Sequence, residues 1–245
     1  MKRIEFEEWI SSVRSRTHMP GHTMPPVVPD LFSLYSQVKD LNCVAALEFG
    51  SGWSTLVMAQ ALKENQESHS RRVRTLIRHP NPFRLLSVET SRKFQRITRL
   101  RLKLMDLHHN VLIHRTKAVM HTIINQNCHV YANIPPFTAD FIYLDGPDCE
   151  QVQGDIRGFT VNFGSEDTMY GLPMSADLLF LEPYFWPGTR LVLDGRGANA
   201  SFLRQNFRRN WSYQYEEFLD QHFFTLEEMP WGKISQRLLE LKFGS

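Results

Sequence analysis

The chain predicts a doubly wound α/β domain: a mostly parallel, seven-stranded sheet with an antiparallel hairpin at its C-terminal end. Three observations lead there. From Cys43 onward, apolar runs of strand length alternate with stretches of helical period. Four of these runs end in an acid at a turn or helix start, at Glu48, Glu89, Asp145 and Asp194. Finally, Trp211 to Phe218 and Phe223 to Glu227 alternate like two strands around a short polar turn containing Asp220. Helices on both faces of such a sheet make three layers, α/β/α.

The 245 residues suit one domain with an appendage: residues 1–29 as an N-terminal helix and arm, residues 30–245 as the domain. A net charge of +2 neither requires nor forbids a nucleic-acid partner, because phosphate neutralisation depends on local clustering. The cysteines, Cys43, Cys128 and Cys149, are odd in number and lack metal-ligand spacing, which suits a reducing compartment. Glu5, Glu7 and Glu8 follow the opening Met-Lys-Arg where a signal peptide would be apolar, and no run reaches transmembrane length. A soluble, cytoplasmic protein with no membrane partner is the expectation; oligomeric state is not legible.

In order, residues 4–12 carry Ile4, Trp9 and Ile10 among glutamates, a short amphipathic helix. Residues 17–26 are too rich in proline and glycine for regular structure and read as an arm, a candidate lid over a ligand. His18 and His22 flank Pro20-Gly21 with no third ligand nearby, so a polar loop is favoured over a metal site. A helix follows from Asp30, its candidate N-cap, through Leu31, Leu34, Tyr35 and Val38.

The stretch from Cys43 to Thr55 is strand, tight turn and helix start. Gly50 and Gly52 let backbone N–H groups approach a ligand closely. A dinucleotide site would place a third glycine where Thr55 stands, and a carboxylate at Glu48 would repel a diphosphate. The same carboxylate would suit a ligand carrying an ammonium and a sulfonium. Gly-x-Gly also occurs in ordinary turns, where Glu48 would serve only as a cap.

Residues 63–83 read as an insertion containing a β excursion, because the spacing from Glu48 to Glu89 exceeds the ~20 residues usual between a glycine turn and the second acid. Glu89 closes the second strand, where a bidentate acceptor suits a vicinal diol; the plainer reading is an acid at a helix N-terminus. Residues 90–105 form a helix with Phe94, Ile97, Leu100 and Leu104 on one face and Arg92, Arg96, Arg99 and Lys103 on another. The basic stripe could follow a phosphate backbone, but no aromatics interleave with it, so a solvated face is favoured.

Residues 110–114 are a third strand and residues 117–126 a helix. The run 139–144 is a fourth strand, placing Asp145 in the crevice where open α/β sheets bind ligands. Residues 149–174 are irregular, rich in glycine and aromatics, and form a second insertion suited to choosing a substrate. A helix over 176–185, a strand ending at Asp194, a helix over 199–210 and the hairpin complete the chain, with 233–243 a last strand or helix.

Glu48-Phe49-Gly50-Ser51-Gly52, acidic-x-Gly-x-Gly at a strand end, resembles the first motif of the class I S-adenosylmethionine-dependent methyltransferases, with Ser54 where many members carry a third glycine. The resemblance covers most of residues 30–228 in element order. It implies S-adenosyl-L-methionine as cofactor, held by Glu48, Gly50, Ser51, Gly52, Ser54, Thr55, Glu89, Thr116 and Asp145. In it Glu89 takes the ribose, Thr116 approaches the adenine, and Asp145 faces the transferable methyl group. Asp145 is the leading catalytic residue, as a base or to orient the acceptor; Asp148, Asp194 and His222 stand in reserve. Asp145 and Asp194 together resemble the metal-dependent catechol-type O-methyltransferases, but Gly195 replaces the asparagine those carry, and no metal is predicted. Residues 194–211 look like bacterial methyltransferases of surface-sugar biosynthesis.

These implications give O-methylation of a small molecule or saccharide as the expected activity. An RNA methyltransferase using the basic stripe, a non-catalytic S-adenosylmethionine-binding protein, and a nicotinamide oxidoreductase are the alternatives. Glu48 and Thr55 disfavour the last.

Overall fold

The computed structural model describes residues 1–17, 25–123, 125–158 and 174–244. Residues 18–24 of the expected lid, including His18 and His22, and most of the 149–174 insertion lie outside these residues.

Helix α1 (Arg3–Arg16) buries Phe6, Ile10 and Val13 against α2 (Val28–Asp40), where Phe6 meets Phe32 and Tyr35 with ring centroids 5.2 and 5.3 Å apart. The sequence puts the α2 cap at Asp30; the helix instead starts earlier, because Pro29 fits its first turn, and Asp30 lies inside that turn.

Strand β1 (Ala45–Phe49) is buried along its whole length and leads through the glycine turn into α3 (Trp53–Arg72). Helix α3 then passes into a π-helical turn, Val73–Ile77, so residues 63–83 are not a β excursion. The helix persists because Leu62, Asn65 and Val73 remain buried: Asn65 donates to the carbonyls of Val38 and Cys43 at 3.0 and 3.1 Å, fixing α3 on the chain entering β1.

Strand β2 (Arg84–Glu89), helix α4 (Arg92–Leu104) and strand β3 (Val111–Arg115) follow. Helix α4 is rotated from the expected face. Gln95, Ile97, Thr98, Arg101 and Leu102 are buried, whereas Leu100 and Leu104 are 40% and 47% exposed.

Residues 117–126 are not helical. They contribute β4 (Ala118–Ile123) and the start of β5 (Gln126–Tyr131); Ile123 pairs with Gln126, and Asn125 adopts φ 62°. Val119, Thr122 and Ile123 are β-branched, and asparagine tolerates the left-handed turn, so local preference and hairpin geometry agree.

Then come β6 (Phe141–Leu144), the short β7 (Val152–Gln153) and β8 (Met174–Ser175), α5 (Asp177–Leu181), β9 (Arg190–Asp194) and α6 (Gly197–Asn206). Strands β10 (Trp211–Glu216) and β11 (Gln221–Leu226) form the closing hairpin, and α7 (Lys233–Phe243) ends the chain as a helix.

The main sheet has seven strands in the order β10-β11-β9-β6-β1-β2-β3. All neighbours are parallel except at β11, which is antiparallel to both β9 and β10. A four-stranded sheet, β7-β4-β5-β8, stands beside it and was not foreseen from sequence. Side chains of the main sheet alternate between two cores. Ala46, Leu85, Phe141 and Val192 meet α2 and α3, while Leu47, Leu86, Ile142 and Leu191 meet α5 and α6. Burying each large aliphatic side chain contributes about 1.5–3 kcal/mol, so the central strands anchor the fold. Strands are added in one direction from β1 through β2 to β3 and in the other from β6 outward, and this switch between the parallel strands β1 and β6 opens a crevice beyond their carboxyl ends.

Among the described residues no helix is long and apolar enough to cross a membrane.

Candidate functional site

Three strand ends meet at the crevice. Gly50 adopts φ 96°, and its N–H donates to the Val88 carbonyl at 2.8 Å, tying the β1 turn to β2. The Ser87 hydroxyl donates to the Gly50 carbonyl at 2.9 Å, and the Gly146 N–H donates to Phe49 at 2.6 Å, bringing the β6 end alongside.

Glu48 lies beneath this turn and does not line the crevice. It is fully buried, accepting the Ser54 hydroxyl at 2.5 Å and the Thr55 hydroxyl at 2.7 Å. Thr55 Oγ1 in turn accepts the Gly52 N–H at 2.9 Å, so Glu48 holds the turn through two hydroxyls. Burial raises its pKa to about 7, while the hydroxyls of Ser54 and Thr55 oppose the shift. Glu48, Ser54 and Thr55 therefore shape the turn from below, and their side chains are spent on one another.

Glu89 reaches the crevice. One carboxylate oxygen accepts both the Ser51 N–H at 2.8 Å and the Ser51 hydroxyl at 2.5 Å; the other accepts the Ser91 N–H at 2.7 Å. The Ser51 and Ser91 N–H groups fix its orientation, and the Ser51 hydroxyl occupies an acceptor position that a ligand hydroxyl could take over.

A cavity of about 320 Å³ opens here. Gly50, Ser51, Gly52 and Glu89 form one wall, and Asp145, Gly146, Pro147 and Asp148 form another. Trp53, Phe94, Ile97, Thr98 and Arg101 line the side toward α3 and α4. A second cavity of about 450 Å³, lined by Thr90, Arg115, Thr116, Lys117 and Gln153, shares Gln151 with the first. The Thr90 hydroxyl donates to the Gln151 side-chain oxygen between them. Thr116 thus belongs to the neighbouring cavity, although its N–H donates to the Glu89 carbonyl at 2.9 Å.

Asp145 is exposed to the first cavity. The surrounding protein raises its pKa to about 6; the Arg196 guanidinium opposes this, and the carboxylates of Asp194, Asp148 and Glu89 add to it. Water reaching the open cavity softens that shift. Arg196 donates to the Asp145 and Pro147 carbonyls and so fixes the backbone after β6.

The reserve residues fare differently. Asp148 lines the cavity. Asp194 stands outside the lining and accepts the Tyr143 hydroxyl at 3.1 Å and the Gln221 amide at 3.2 Å. His222 is buried, its Nδ1 2.9 Å from the Tyr213 hydroxyl, and burial lowers its pKa.

Sequence reasoning missed Arg101, Trp53, Gly146 and Gln151. The signal for Arg101 was its spacing, since Phe94, Ile97, Thr98 and Arg101 fall at i, i+3, i+4 and i+7 on one helix face. Asp106, His108 and His109 bring ligand-type atoms within 4.8 Å of one another, but immediately before β3, at the amino-terminal edge of the sheet and away from the crevice.

No protein-family model and no curated protein matches the sequence. Solved structures do match. The S-adenosylhomocysteine-bound methyltransferase of Podospora anserina is 12% identical, with 92% of this chain and 88% of that one covered and a TM-score of 0.51. An O-methyltransferase from Bacillus cereus in complex with S-adenosylhomocysteine is 14% identical over 91% of each chain, with a TM-score of 0.48. TomG from Streptomyces achromogenes, an O-methyltransferase in complex with S-adenosylmethionine, is 13% identical over 91% of this chain and 90% of that one, with a TM-score of 0.48. Strand order, the antiparallel β11 and the likeness to the Podospora structure agree: the chain has the three-layer α/β/α fold of the class I methyltransferases.

Proposed function

We propose that the chain is an S-adenosyl-L-methionine-dependent methyltransferase acting on an oxygen of a small molecule or saccharide. The observation that carries this reading is Glu89, a buried carboxylate at the end of β2, held by backbone donors with its face on the cavity. Such a group suits the two ribose hydroxyls of a nucleoside.

The rest of the cavity suits the same ligand. A β carbon built on Gly52 meets nothing within 4 Å, so the backbone there is open for a ligand to lie against. Asp145 and Asp148 give the cavity a negative wall suited to an ammonium and a sulfonium.

When bound, the cofactor supplies an electrophilic methyl group on a positively charged sulfur. Glu89 and the glycine turn would hold the donor, and Asp145 would orient the acceptor hydroxyl and take its proton, the sulfur leaving as the neutral thioether when its bond to the methyl carbon breaks. Arg196 keeps Asp145 in place through its backbone carbonyl.

The test is transfer of an isotopically labelled methyl group to a panel of catechols, phenols and saccharides. Label in a hydroxyl-bearing product supports the reading. Cofactor binding with no transfer to any acceptor favours a non-catalytic binding protein.

A second reading has a specific observation behind it. Arg92, Arg96, Arg99 and Lys103 are exposed on the outer face of α4, whose inner face lines the cavity. An RNA acceptor would run along them, and RNA affinity falling steeply with salt, then lost on neutralising the four, would favour it.

A further inference from the structure

The charges lining the first cavity are sorted, with Arg196 outside the lining on the Asp145 and Pro147 carbonyls. Glu89, Asp145 and Asp148 are its acids, and among its lining residues the single cation is Arg101. Arg101 is 3% exposed, and its guanidinium carbon lies 4.1 Å from the centroid of the Trp53 ring. Trp53 is the first residue of α3, directly after Gly52, so the stacked guanidinium is coupled to the glycine turn itself.

An arginine serving only to cover the outer face of α4 would be exposed, as Arg96 is. Arg101 instead turns inward to a wall shared with Phe94 and Ile97. In such apolar surroundings its attraction for an anion is stronger than at the surface. Its planar fork matches a carboxylate, and stacking on Trp53 limits the freedom lost when one binds.

Resting on the cofactor reading above, we infer that Arg101 is the positioning residue for the α-carboxylate of S-adenosylmethionine, with Trp53 as the plate that holds it in plane. The ligand's ammonium and sulfonium would then face Asp145 and Asp148, its diol Glu89, and its carboxylate Arg101.

Removing the carboxylate from the ligand tests this without disturbing the protein. Calorimetry would compare S-adenosylmethionine with decarboxylated S-adenosylmethionine on wild type, Arg101→Met and Arg101→Lys, each checked for folding by circular dichroism. Wild type is expected to prefer the carboxylate-bearing ligand by about ten- to a hundredfold, as for other hydrogen bonds between charged groups. Arg101→Met should bind both alike, and Arg101→Lys should recover part of the preference.

Equal affinity of wild type for the two ligands, or a preference that survives in Arg101→Met, overturns the assignment while leaving the cofactor in place. If Arg101→Met does not fold, wild type and Arg101→Lys decide by the same comparison. Binding of neither ligand by wild type is a different result, overturning the proposed cofactor and the role of Arg101 with it.

Discussion

Gly146 runs so close to Gly50 that a β carbon built on Gly146 would lie 2.8 Å from the Gly50 α carbon and 3.0 Å from the Tyr131 hydroxyl oxygen. Two backbones in contact cannot step aside as a flexible side chain can. Gly146→Ala should therefore destabilise the fold by about 1–3 kcal/mol, read from urea unfolding, by pushing the β1 turn away from the β6 end. Wild-type stability in that variant would show that the two turns are not locked together.

Gly52 behaves in the opposite way, because its added β carbon meets only open cavity. Gly52→Ala should unfold within about 0.5 kcal/mol of wild type and yet lose about tenfold or more in affinity for S-adenosylhomocysteine. Stability and binding measured on the same samples separate the two effects. Unchanged affinity would place the ligand elsewhere.

Glu48 predicts a pH effect on stability. Its folded pKa of about 7 lies above the ordinary 4.5. Below the ordinary value it is protonated in both states. As pH rises toward about 7 the unfolded chain has already released the proton that the folded one keeps, so this contribution to stability is progressively lost. Asp177, raised to about 7 by burial, acts in the same direction in either protein and cancels in a comparison. Glu48→Gln should therefore gain on wild type by about 2 kcal/mol between about pH 5 and about pH 8, measured by urea unfolding. Parallel pH profiles would contradict the buried-carboxylate assignment.

Asp145 predicts a pH effect on rate. With its pKa raised to about 6, the deprotonated form that accepts a proton grows as pH rises through that value. Methyl transfer should climb with pH and level off above it, and Asp145→Asn should lower kcat by about 10²–10⁴-fold and remove that limb of the profile. A profile that keeps its limb in Asp145→Asn would assign the base to another group.

Much of this architecture is legible in the residues. The β1 turn announces itself because a strand buried on both faces, two glycines and a helix start are local features, and the acids at 89 and 145 follow from where the apolar runs stop. Glu48 was harder, because electrostatics alone places a carboxylate toward a cationic ligand. Strand alternation puts it on the face of Ala46, beneath α3, where Ser54 and Thr55 satisfy it. The hairpin of β4 and β5 was hidden because its signal is a pairing between segments, which a helical count over 117–126 does not weigh. Arg101 was passed over because basic residues at helical spacing drew attention to the exposed stripe, and only packing shows which arginine faces in.

The most direct measurement is calorimetric titration of S-adenosylhomocysteine into wild type and Glu89→Ala. Wild type should bind one equivalent, and the variant, still folded by circular dichroism, should bind about a hundredfold more weakly because the ribose loses a charged hydrogen-bond acceptor. Equal affinity in the two proteins, or no binding by wild type, would contradict the account.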